Sequence, residues 1–277
     1  MNKIIPVIVM FIFLVACGGR KDVSGIEEEP IVDTVLVEKD TVEVDSAIVE
    51  EELPPRTADE LFDDFIYAFM NGKRFQLSRI SFPLKLKVDS VDSLLRRRQW
   101  EYQPLYANLE VYTMIFTHAN AESAEKDTSV NNVFVDWIDL NAQRVKQFHF
   151  ERRQGFWKLS LLEKLPIEKT EDYNFYNFYK TFVSDSLFQR EHVSNNLKFS
   201  VYDEDSGEDI DGTLDVDQWF EFRPTLPTDV ITNIIYGERP KDTDERILVL
   251  SSPSGGMNCK LHFQRMAEAW KLTQFEN

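Results

Sequence analysis

Displaced by 113 residues, the chain superimposes on itself. Asp59, Phe62, Phe65, Phe69, Phe75, Gln76, Ser81, Leu84 and Lys85 fall on Asp172, Phe175, Phe178, Phe182, Phe188, Gln189, Ser194, Leu197 and Lys198, nine identities over positions 59–85. The same offset returns further on. His149, Phe150, Arg152, Trp157, Lys158, Leu159 and Glu163 fall on His262, Phe263, Arg265, Trp270, Lys271, Leu272 and Glu276. The two blocks hold 16 matches in 43 positions, where average composition gives about two or three. Between the blocks the register shifts by six and pairs Trp100 with Trp219 and Thr113 with Thr232. One offset at both ends means two copies of one fold. The expected boundaries are 57–169 for the first copy and 170–277 for the second, meeting near Glu168-Lys169-Thr170.

Each copy reads from helices into strands. Thr57-Ala58-Asp59-Glu60 has the capping-box pattern, and Leu61, Phe62, Phe65, Ile66, Phe69 and Met70 recur as one buried helical face that Asn71-Gly72 ends. Phe175, Phe178, Tyr179 and Phe182 repeat that face. A short second helix is expected over Phe75–Ile80 and Phe188–Val193, and residues 91–98 read as a further helix. Runs of β-branched and aromatic residues follow: Val111–Phe116, Val133–Ile138, Val145–Phe150 and Phe156–Leu162, then Val230–Tyr236, Ile247–Leu250, Lys260–Phe263 and Trp270–Phe275. Arg153-Gln154-Gly155 reads as a hairpin turn. Helices first and an antiparallel sheet after predict an α+β protein of two tandem domains, each of about 110 residues.

The ends of each copy carry a family resemblance. Phe65-Ile66-Tyr67-Ala68-Phe69-Met70-Asn71-Gly72, followed by Phe75 and Ile80, resembles the opening of nuclear-transport-factor-two-like domains, and the closing His-Phe-x-Arg…Trp-Lys-Leu pattern is similar to their terminal strands. The resemblance implies a bent sheet wrapped around a cone-shaped cavity. The whole chain resembles bacterial lipoproteins of unassigned function that carry such domains. That family includes isomerases, dehydratases and binding modules, so the fold leaves function open.

The N-terminus supplies an address. Met1-Asn2-Lys3 is a short basic start, and Ile4–Val15 is a run of twelve uncharged residues, a secretory core too short for a membrane-spanning helix. It ends in Leu14-Val15-Ala16-Cys17, which resembles the bacterial lipobox. The resemblance implies cleavage after residue 16 and lipidation of the Cys17 thiol. Several acyl chains anchor firmly, because each buried methylene contributes about 0.8 kcal/mol. Residues 18–56 hold twelve acids, four bases and no aromatic residue. Residues 17–56 therefore read as the lipidated cysteine and an acidic disordered tether, spanning roughly 35 Å as a flexible coil. An alternative for the Val-rich part, 35–45, is a strand that docks on a partner's sheet edge.

Charge and side-chain chemistry narrow function by exclusion. The net charge is −17, which argues against nucleic acid as a partner, since phosphate contacts need a basic face. The first copy is neutral with 16 acids and 16 bases, whereas the second holds 20 acids and 10 bases. Much of that excess lies in 203–217, read as a solvated acidic loop because no window matches a calcium-binding loop. Arg96-Arg97-Arg98 reads as solvated. No His-x-His or His-Glu-x-x-His spacing occurs, so no metal ligand and no cofactor is assigned. Cys259 shares strand parity with Leu261 and Phe263, which predicts a buried, inert thiol.

Five residues are candidates for ligand contact: Tyr67, Trp100, His149, Trp219 and His262. The duplicated histidines fit a cross-strand structural role better, and the duplicated Trp157 and Trp270 fit core anchors. Chemistry in a cone would need a carboxylate or His base and a donor converging on one cavity. Tyr67, Asp136 and His149 are the groups available, but Tyr67 aligns with Lys180, and no acid–base set recurs, so no catalytic residue is assigned. The expected function is a non-enzymatic binding or scaffolding lipoprotein of the cell envelope, on the outer membrane of a Gram-negative bacterium. It would engage an envelope protein or a small ligand. The alternative is an isomerase, dehydratase or hydrolase acting on a small molecule in one cone.

Overall fold

The computed structural model describes residues 59–277, apart from 204–205, 240–242, 254–257 and 268. The leader, Cys17 and the tether lie outside the described residues. The first copy forms α1 (Phe62–Asn71), α2 (Lys73–Ser78), β1 (Ile80–Val88), β2 (Val91–Leu95), β3 (Tyr112–Phe116), β4 (Asn132–Asp139), β5 (Arg144–Arg153) and β6 (Phe156–Pro166). The second forms α3 (Tyr173–Ser184), α4 (Ser186–Glu191), β7 (Val193–Asp203), β8 (Glu208–Leu214), α5 (Val216–Phe222), β9 (Val230–Tyr236), β10 (Glu245–Ser251), β11 (Asn258–Met266) and β12 (Ala269–Glu276). The protein is α+β, with the same strand order in both halves.

The two halves trade a strand. One sheet has the order β2-β1-β6-β5-β4-β9, and the other has β8-β7-β12-β11-β10-β3. Each is antiparallel except for one parallel pair, β1 with β6 and β7 with β12. Thus β9 of the second copy completes the first sheet beside β4, and β3 of the first completes the second beside β10. The exchanged strands serve both cores. Ile115 on β3 enters the second core, and its repeat equivalent Ile234 on β9 enters the first.

Aromatic packing is duplicated contact by contact. Phe62 meets Trp157 edge-on with ring centroids 5.1 Å apart, and Phe175 meets Trp270 at 5.3 Å. Phe69 and Phe150 repeat as Phe182 and Phe263. Both tryptophans are buried, as expected of anchors, because their large apolar area dominates core energetics. Polar latches repeat too. The Gln76 amide donates to the Phe69 carbonyl at 3.1 Å, and the Gln189 amide donates to that of Phe182 at 2.9 Å. These bonds tie each second helix to the first.

The sheets bend at matched places. The β5–β6 register slips between His149 and Phe150, and the β11–β12 register slips between His262 and Phe263. The extra residues are Ser160 and Thr273, whose hydroxyls donate to the carbonyls of His149 at 3.2 Å and His262 at 3.1 Å. A bulge adds one residue to one strand and bends it, so the histidine positions mark a duplicated bend.

Three local expectations are corrected. Residues 91–95 are strand β2 and 97–99 a single 3-10 turn. Asp89 and Ser90 both take positive φ, which makes the tight hairpin that pairs β2 back on β1. The capping box expected over Thr57–Glu60 does not open α1, which starts at Phe62 after Leu61 without a side-chain cap. Instead Asp59 is buried, accepts from Arg79 at 2.7 and 2.9 Å, and accepts from the Trp157 backbone N–H at 3.1 Å. A buried charge with a two-point partner outweighs a surface cap. The acidic stretch after 207 is edge strand β8, followed by a capping box in which Asp215 and Gln218 bond reciprocally. The turn at Gln154-Gly155 is as expected, with φ of 53° and 83°. The second value lies in the left-handed region that favours glycine.

Candidate functional site

A half-open cavity of about 450 Å³ lies against the first helix of the first copy. Helix α1 contributes Asp63, Ile66, Tyr67 and Met70, one stripe at helical spacing. Strand β3 adds Tyr112 and Met114, and the exchanged strand β9 adds Ile234. Tyr106 and Glu125 also line it, Glu125 from the 3-10 segment Ala119–Lys126, together with Asn71, Ala107 and Pro253. The site therefore needs both copies of the repeat, because Ile234 arrives on the strand traded from the second.

Its electrostatics are unusual for a protein of this charge. Burial pushes the Glu125 carboxyl up to about 7, and the charges of Asp63 and Glu122 add to the rise while Lys126 and Lys260 oppose it. Asp63 is raised chiefly by burial, against the bond it accepts from the Tyr236 hydroxyl at 2.5 Å. Burial raises Tyr106 well above the ordinary phenol value, with the Tyr112, Asp63 and Glu125 charges adding to it. The Tyr106 and Tyr112 rings stack with centroids 4.7 Å apart.

The corresponding place in the second copy is filled. Asp63, Ile66 and Tyr67 align with Tyr176, Tyr179 and Lys180. Tyr176 and Tyr179 are fully buried in the second core with Trp219, and the Tyr179 hydroxyl donates to the Pro227 carbonyl at 3.2 Å. A separate, open depression runs beside α3, past His192 and Trp270. Its guanidinium, Arg265, is already paired with Asp244 at 2.7 Å and lies over the Trp270 ring.

Of the five candidates named from sequence, Tyr67 alone lines the first-copy cavity. The Trp100 indole N–H donates to Gln76 Oε1 at 2.8 Å, so it serves the helix latch. Trp219 is buried against Phe275, with centroids 5.5 Å apart. His149 packs edge-on against Phe134 at 4.7 Å, with Nε2 4.0 Å from Glu163. Burial and the Arg239 charge hold its pKa down. The repeat equivalent, His262, has Nε2 2.8 Å from Glu276 Oε1. Asp136 is buried in a two-point pair with Arg239 at 2.9 Å. Tyr67, His149 and Asp136 therefore do not converge. Cys259 is buried and its thiol is pushed up to about 11 by burial. Among the described residues no three His, Cys, Asp or Glu side chains gather as a metal ion would need.

Sequence reasoning passed over Asp63, Tyr106, Tyr112, Glu125 and Tyr236. Asp63 looked like an ordinary first-turn helix acid. The available signal was a mismatch between the copies: an Asp in one where the other has a buried Tyr marks where one core is open and the other closed.

A family model described as a domain of unknown function (DUF4348) matches residues 40–277. No curated protein matches. Among solved structures, the chain is similar to an NTF2-like protein from Bacteroides fragilis, whose crystal structure was determined at 2.15 Å resolution. The two are 37% identical, with 79% of this chain and 96% of that chain covered and a TM-score of 0.74. The nuclear-transport-factor-two-like fold expected from the helix pair and the closing hairpin is the fold found.

Proposed function

This chain belongs to the DUF4348 family and has an NTF2-like fold, and on that premise we propose that it is a lipid-anchored envelope protein that binds a small ligand in its first repeat. The observation that carries the reading is the contrast between equivalent places in the two copies: a cavity of about 450 Å³ in one, and Tyr176, Tyr179 and Trp219 packed solid in the other. Small-molecule sites span about 300–1,000 Å³, with mostly apolar walls and a few placed polar groups, and this cavity has that make-up. Binding without chemistry is supported by the place of Asp136 and His149, neither of which is among the residues lining the cavity. The anchor rests on Leu14-Val15-Ala16-Cys17 and the charge-rich segment after it, which would hold the module off the outer membrane.

Two variants test the reading. Ile66→Tyr places in the first cavity the side chain that Tyr179 places in the second. Ligand co-purified from the native envelope, measured by mass spectrometry after denaturation, should be present on the wild-type chain and lost from this variant. Equal ligand on both would sink the cavity assignment. Cys17→Ala should move the protein out of the membrane fraction or stall it as a precursor, and unchanged attachment and processing would sink the lipid anchor.

One observation favours a catalytic reading: Asp63 is raised and bonded to a phenol, a pairing that a proton-transferring isomerase or dehydratase can use. Turnover of the bound ligand that Tyr236→Phe abolishes, with folding intact, would replace binding by catalysis.

A further inference from the structure

We propose that the first-repeat cavity is built for an organic ammonium ion on an apolar or aromatic body, with Asp63 and Glu125 facing the cation and the tyrosine rings packing the body. The inference rests on the reading of that cavity as a ligand site and names the ligand's class.

Three features of the wall point there. First, two carboxylates from different elements line one cavity with no basic side chain among its lining residues. Glu125 has no hydrogen bond or ion pair among the described residues. The nearby cation, Lys260, is committed to Glu122 at 2.9 Å and to Glu276 at 3.7 Å. Like charges that share a site destabilise each other's ionised form, and a cation between them removes that cost. Second, Tyr106 lines the same cavity while only 6% exposed, and its hydroxyl has no hydrogen-bond partner among the described residues. A phenol oxygen that faces a cavity can accept a hydrogen bond, and an ammonium N–H is a donor suited to it. Third, most of the remaining wall is apolar, with Ile66, Met70, Ala107, Met114, Ile234 and Pro253 beside the stacked Tyr106–Tyr112 pair. Ring faces attract organic cations, and methionine adapts to an irregular apolar body.

The competing ligand classes fit less well. A carboxylate or phosphate would meet two acids and no base. A divalent metal ion wants six or more oxygens in its shell, and half of this wall offers only carbon and sulfur.

The test is calorimetric titration of the full-length chain in detergent with three probes of one shape: 2-phenylethylamine, 2-phenylethanol and 3-phenylpropanoate. The amine should bind, the alcohol should bind about tenfold or more weaker, and the acid should show no heat of binding. Glu125→Gln, at a half-buried position where folding should persist, should weaken the amine about tenfold and leave the alcohol unchanged. Alcohol or acid binding as tightly as the amine overturns the ammonium class but leaves the cavity as a ligand site, provided Ile66→Tyr abolishes it. Binding by none of the three, or amine binding that survives Ile66→Tyr, overturns both readings.

Discussion

Thr113 and Thr232 hold the same place in the two repeats and hydrogen-bond each other. Each backbone N–H donates to the other's hydroxyl at 2.9 and 2.8 Å, and each hydroxyl donates to the other's carbonyl at 2.7 and 2.8 Å. A residue that contacts its own equivalent lies on a local two-fold axis, the self-complementary arrangement of a symmetric dimer. The sheets thus meet at β3 and β9, the edge strands of their respective sheets, through four reciprocal bonds in a buried setting.

Replacing one hydroxyl by a methyl group strands a donor and an acceptor on the other threonine. Thr113→Val and Thr232→Val should each destabilise the fold by about 1–3 kcal/mol, by similar amounts because the environments are equivalent. The double variant should cost about the sum, since each hydroxyl makes its own two bonds and no bond joins the two hydroxyls. Urea denaturation of the four proteins measures this. A neutral effect of either single change would show that the network contributes nothing net.

The strand trade predicts how one half behaves alone. A chain of residues 57–169 lacks β9, so β4 is left with an unpaired edge and the first core loses Ile234. Its own β3 has the matching threonine, and in the whole protein it fills in the second sheet the place that β9 fills in the first. The isolated segment should therefore associate as a strand-exchanged dimer or fail to fold. Sedimentation with circular dichroism decides it, and a stably folded monomer would contradict the exchange.

The equivalence of the two strands was readable from the chain, including the register shift of six that aligns Thr113 with Thr232. The trade itself was not, because matched sequences say which strands are equivalent and not which copy supplies a neighbour. The stretch before α1 was misread for a related reason. Thr57–Glu60 has the local pattern of a capping box, whereas the partner of Asp59, Arg79, lies 20 residues on, beyond any helical spacing. Val91–Leu95 lacked strand alternation and sat before three arginines, so only the positive-φ pair at Asp89 and Ser90 revealed the hairpin. The cavity stayed hidden because its one signal, Asp63 where the other copy has Tyr176, is a single mismatch in a diverged repeat. Its acids look like solvated surface charge until Tyr106 and Tyr112 are seen beside them.

Asp59 and its repeat equivalent Asp172 tell a second story about divergence. Both are buried, yet Asp59 pairs with Arg79 after α2 and Asp172 with Arg246 on β10, each at 2.7 Å. Removing one arginine leaves a buried carboxylate uncompensated. Arg79→Met should cost about 3–5 kcal/mol, and adding Asp59→Asn should recover part of it, since breaking a buried pair is worse than replacing both members. Chemical denaturation of the single and double variants tests this. A harmless Arg79→Met would mean that solvent or another cation reaches Asp59.

Glu125 ties the cavity to pH. Its carboxyl titrates near 4.5 when unfolded and at about 7 when folded. Between those values the folded protein holds a proton that the unfolded chain has released. Stability rises with pH only where the unfolded state binds more protons. Here the sign is reversed, and Glu125 lowers stability as pH climbs from about 4.5 through 7. Asp63, raised by burial, acts in the same direction, while Lys126 and Lys260 reduce the Glu125 effect. Glu125→Gln removes the titration and keeps the shape. The variant should melt higher than wild type at pH 8, with the gain shrinking as the pH falls and vanishing near 4.5. Melting curves at pH 4.5, 6, 7 and 8 in ligand-free buffer measure it. A gain that is independent of pH would mean that the glutamine stabilises by packing and that burial does not raise Glu125. A loss at pH 8 would mean that the carboxylate already has a cation beside it, and the ammonium site would lose its electrostatic ground.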